Sequence, residues 1–80
     1  MAARKTRPGR DVEIDYPAPQ LVHELRRLAD CIEQGKRFQI QVGGERISVP
    51  PTATINVEHE RSASTEELAF QLVWKTVAQR

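Results

Sequence analysis

"FQIQVGGERISVP", residues 38–50, decides how the rest of the chain is read. Phe38, Ile40 and Val42 alternate with Gln39 and Gln41, and Ile47 and Val49 flank Ser48 in the same way. This period of two puts one face of a strand in a core. Gly43 and Gly44 lie between the two runs, where a primed two-residue turn needs the positive φ that glycine adopts without a Cβ penalty. Such a turn fixes the register: Val42 opposes Glu45, Ile40 opposes Ile47 and Phe38 opposes Val49. Gln39/Ser48 and Gln41/Arg46 then meet on the other face. Pro50 and Pro51 stop the ladder.

Upstream of this hairpin the period changes. In "PQLVHELRRLADCIEQG" the residues Leu21, Leu25, Leu28 and Ile32 recur at spacings of four, three and four, with Val22 and Ala29 beside them, so one stripe of a helix is apolar. Pro19 suits its first turn and Gly35 the left-handed residue that closes it. Glu24, Arg27, Asp30 and Gln34 are expected to face water. Before the helix, "DVEIDY" alternates Val12, Ile14 and Tyr16 with acidic residues and is expected to be a half-buried strand ending at Pro17.

Downstream, "TATINVEHE" is expected to be a strand with Ala53, Ile55 and Val57 inward, and "RSAST" a polar loop. "ELAFQLVWK" then makes a closing strand with Leu68, Phe70, Leu72 and Trp74 inward. The fold class is α+β: a two-layer sandwich in which a mainly antiparallel 4–5-stranded sheet carries one helix, in the order β-α-β-β-β-β. Residues 11–76 form the domain, preceded by a basic arm over residues 1–10, expected to be disordered, and followed by a tail over residues 77–80.

Eighty residues leave room for one small core. No apolar run is long enough for a membrane span, and no export signal follows Met1, so a cytoplasmic protein is expected. Cys31 is the single cysteine and reads as a small buried apolar residue. The net charge of +1 hides an asymmetry. Arg4, Lys5, Arg7 and Arg10 take four of the twelve basic residues, leaving eight against eleven acidic ones. Such an arm would give nucleic acid a salt-sensitive, sequence-independent contact, though a solvated terminus is the simpler and favoured explanation. The outer sheet face, with Gln39, Gln41, Ser48, Asn56, Glu58, Gln71 and Lys75, lacks the aromatics on which single strands stack.

The segment "INVEHERS" places Glu58, His59 and Glu60 in a row, but alternation sends His59 to the inner face and the two glutamates to the outer one, so they do not converge on a metal. Pairing Ile55 with Phe70 and Val57 with Leu68 would set Glu58 opposite Glu67. Glu58, Glu60 and Glu67 are therefore a weak candidate for a divalent cation, against a plain solvated face. Catalysis finds no support, since no serine sits on a strand-to-helix elbow and no glycine-rich loop cradles a phosphate. The expected protein is not an enzyme and takes no cofactor.

A helix of about sixteen residues is roughly 24 Å long and 10 Å wide, enough to cover about two to three strands at ~4.8 Å spacing. Apolar sheet face is left over. Phe70, Leu72 and Trp74 either close over their own core or form a patch for a second copy or a protein partner, and exposed sheet edges offer strand addition as another route.

"DVEIDY", "LVHELRRLADCIEQG", "FQIQVGGERISVP", "TINVEHER" and "EELAFQLVWK" with Trp74 together resemble the amphi-Trp domain family of small bacterial and archaeal proteins, over residues 11–76. The resemblance implies an α+β fold of amphipathic strands and no established activity, substrate or cofactor.

Overall fold

The computed structural model describes residues 9–76. They form one helix, α1 (Ala18–Gln34), and four strands: β1 (Phe38–Val42), β2 (Glu45–Val49), β3 (Thr54–Arg61) and β4 (Glu66–Val73). The strands make two antiparallel hairpins, β1 with β2 and β3 with β4, each a two-stranded sheet. The α+β class and the antiparallel pairing match the expectation, whereas a single 4–5-stranded sheet is not formed. The chain at Pro50 and Pro51 turns sharply, with the Ala53 amide donating to the Pro50 carbonyl at 3.1 Å. Two prolines supply no ladder donors, so β2 cannot run on into β3.

Helix α1 begins after Pro17, whose φ of −61° and ψ of 147° are extended, and Pro19 occupies the first turn, where a missing amide costs nothing. It ends in a Schellman arrangement. Gly35 adopts φ 66°, its amide donates to the Ile32 carbonyl at 3.2 Å, and the Lys36 amide donates to the Cys31 carbonyl at 2.9 Å.

The register of the first hairpin is the one the glycine turn dictates, from Phe38 opposite Val49 to Val42 opposite Glu45. Gly43 and Gly44 have φ of 57° and 83°. The second hairpin corrects the expectation. Ile55 pairs with Leu72, Val57 with Phe70, His59 with Leu68 and Arg61 with Glu66. Glu58 thus faces Ala69, and the facing carboxylates are Glu60 and Glu67. The slip is two residues, so every side chain keeps its face. Its cause is the loop: the Ser62 amide donates to the Thr65 carbonyl at 3.0 Å, and the two hydroxyls meet at 2.8 Å, which tightens Ser62–Thr65 and adds the Arg61–Glu66 pair to the ladder.

Residues 11–16 form no strand. They lie beside the first hairpin and are held by side chains instead of a ladder. Arg10 donates to the Val42 carbonyl at 2.7 Å and pairs with Glu45 at 3.1 Å, and the Tyr16 hydroxyl reaches the Gln41 carbonyl at 3.5 Å. With Arg27 donating to the Gln39 carbonyl at 2.8 Å, Tyr16 and Arg27 occupy the outward carbonyls of Gln41 and Gln39, where a further strand would have to pair.

The core is small. Phe38 and Val49 are the buried apolar residues among those described. Around them Leu28, Cys31, Ile32, Ala53, Ile55 and Leu72 line a residual cavity of about 50 Å³ where the end of α1 meets the bases of both hairpins. The radius of gyration, 15.3 Å, exceeds the ~11–12 Å of a compact chain this long.

Candidate functional site

The apolar face of the second hairpin grades from half-buried Leu72 to fully open along its length. At its base Ile55 and Leu72 touch the core. One rung further, Val57 (63% exposed) and Phe70 (65%) stand in solvent, followed by Leu68 (65%) beside His59. Strand alternation puts all of them on one side, as the sequence predicts. Of the three residues expected to bind a partner, Phe70 is open, while Leu72 is half-buried in the core. Trp74 lies beyond the end of β4, half-buried in a recess with Pro50, Thr52, Thr54 and Val73.

The tip of this face is polar. Glu66 accepts from Arg61 Nε at 3.0 Å and meets His59 Nε2 at 2.8 Å. The hydrogen bond with His59, and then that from Arg61, hold the Glu66 carboxyl below its ordinary value of 4.5. The sequence reading passed over Glu66, although the short loop and the facing Arg61 were its signal. All three groups are open to water, so the cluster fastens the tip loosely.

A second apolar surface lies on the other side of the molecule's small core. Leu21, Leu25 and Leu28 of α1, Phe38, Ile40 and Val42 of β1, and Ile14 and Tyr16 line an open groove of about 470 Å³, with Leu72 at one end. The groove exists because α1 leans toward β1 on its polar side. Arg27, expected in water, is half-buried: its guanidinium sits 4.9 Å from the Phe38 ring centroid and bonds Glu24 as well as the Gln39 carbonyl. The leucine stripe is thereby turned outward, leaving Leu21 and Leu25 each 44% exposed.

The remaining candidates are dispersed. Glu58 accepts from Gln71 at 2.8 Å on the outer face, and among the described residues no three of His, Cys, Asp and Glu gather as metal ligands would. Arg4, Lys5 and Arg7 lie outside the described residues, and Arg10 is engaged with the first hairpin. No helix among the described residues is long and apolar enough to cross a membrane. Compared with protein-family models, with curated proteins and with solved structures, the chain matches none.

Proposed function

We propose that this chain is a non-enzymatic interaction module that self-associates as a homodimer through the apolar face of its β3–β4 hairpin. The observation that carries the reading is the open row Val57, Phe70 and Leu68, on a hairpin whose outer half the described residues leave uncovered. Together with Ile55 these side chains offer on the order of 500 Å² of apolar surface, at the upper end of what a soluble monomer shows in one patch. A two-stranded hairpin is marginal by itself and needs such a face covered. Tyr16 and Arg27 occupy the outward carbonyls of Gln41 and Gln39 in β1, which favours the apolar face over that edge as the meeting surface.

The non-enzymatic part rests on chemistry: the α1–β1 groove is lined by aliphatic and aromatic side chains, with only Asp15 and Glu24 as charged groups. The likeness to amphi-Trp proteins is consistent with a small module of this kind and assigns it no reaction.

The test is sedimentation of Leu68→Glu against Asn56→Glu, two charges on opposite faces of the same hairpin. The first is expected to abolish self-association and the second to leave it. Equal behaviour of the two would remove the reading.

A further inference from the structure

Resting on the self-association reading, we propose that the α1–β1 groove is the receptor for the β3–β4 hairpin of a second copy, so that two chains exchange hairpins reciprocally. The groove and the hairpin face are complementary in chemistry and form. One is a concave surface of Leu21, Leu25, Ile40, Val42 and Ile14, and the other a ridge of Val57, Phe70 and Leu68. From Leu21 to Leu28 the helix advances about 10 Å, the width of a two-stranded ribbon at ~4.8 Å spacing.

The hairpin's own chain does not offer it this seat. Its base, at Ile55 and Leu72, shares the small cavity with Ile32 and Gly35 at the end of α1, and of its apolar face only Leu72 lines the groove.

Area favours a second copy as the occupant. The exposed hairpin face and the exposed groove residues, Leu21, Leu25 and Ile14, add to roughly 800 Å² per chain, the size of one side of a standard stable interface. A two-fold axis lets each chain give a hairpin and receive one, which closes the assembly at two.

The experiment uses the full chain in three forms: wild type, Phe70→Glu, and Leu25→Lys, with native mass spectrometry and sedimentation as readouts. Each variant alone is expected to weaken the dimer by about 100-fold or more. A 1:1 mixture is expected to recover a heterodimer, because it pairs an intact hairpin with an intact groove and places Glu opposite Lys at the other contact. If Phe70→Glu dissociates the protein and Leu25→Lys does not, the groove is not the receptor, although self-association stands. A wild type that is monomeric throughout overturns both. Should Leu25→Lys fail to fold, wild type mixed from ¹³C-labelled and unlabelled chains decides: intermolecular NOEs between the Phe70 ring and the Leu21 or Leu25 methyls are expected, and their absence from a dimer refutes the exchange.

Discussion

Replacing Phe70 by alanine separates association from folding. Its ring is 65% exposed within one chain. A phenylalanine presents about 150–250 Å², so covering the open part removes roughly 130 Å² from water, worth ~3 kcal/mol at ~25 cal/mol/Å². Alanine retains the Cβ, which leaves a loss of about 2 kcal/mol per copy, and a two-fold dimer suffers it twice. The dissociation constant is expected to rise about 10³-fold. Within the chain the same change removes only the cross-strand contact with Val57, of about 0.2–1 kcal/mol. Sedimentation equilibrium gives the constant, and circular dichroism at high protein concentration, where the variant still pairs, checks the hairpin. A constant within about threefold of wild type, with the fold retained, would refute the reasoning.

Other expectations concern the scaffold. Gly43→Ala places a Cβ 2.9 Å from Val12 Cγ1 and 3.0 Å from the Arg10 guanidinium at a φ of 57°, and should lower stability by about 1–2 kcal/mol in urea unfolding. Arg27→Met keeps much of the stem but loses the bond to the Gln39 carbonyl and the charge over Phe38, with an expected cost of about 1–2 kcal/mol by the same assay. Glu66 is held below the ordinary glutamate value, so its contribution is full above that value and fades as pH falls through the depressed one. NMR titration should show its carboxyl protonating below the ordinary glutamate value, and the depression should vanish in a His59→Ala, Arg61→Ala double variant.

What could be read from the residues depended on how locally each feature is determined. The first hairpin was fully legible because two glycines admit one turn, and the turn sets every pair from Gln41/Arg46 to Phe38/Val49. The helix boundaries followed from Pro19 and Gly35. The second hairpin was legible by face and not by register, since a longer loop allows slips of two that alternation cannot detect. "DVEIDY" has the pattern of a strand, but a ladder also needs free backbone groups opposite, and Tyr16 and Arg27 hold the outward carbonyls of Gln41 and Gln39. The outward turn of the leucine stripe was hidden for a related reason: periodicity marks which face is apolar, and the grip of Arg27 on Phe38 and Gln39 decides which face meets the sheet. The surplus of apolar sheet was visible in the residue count of the strands, whereas its division between core-bound Leu72 and open Phe70 required the fold.

The most direct measurement is the solution mass of the wild-type chain by light scattering over a concentration series at low and high salt. The account predicts a dimer that persists at high salt, because apolar area supplies the association, and that dissociates only on dilution. A folded monomer at every concentration would contradict it.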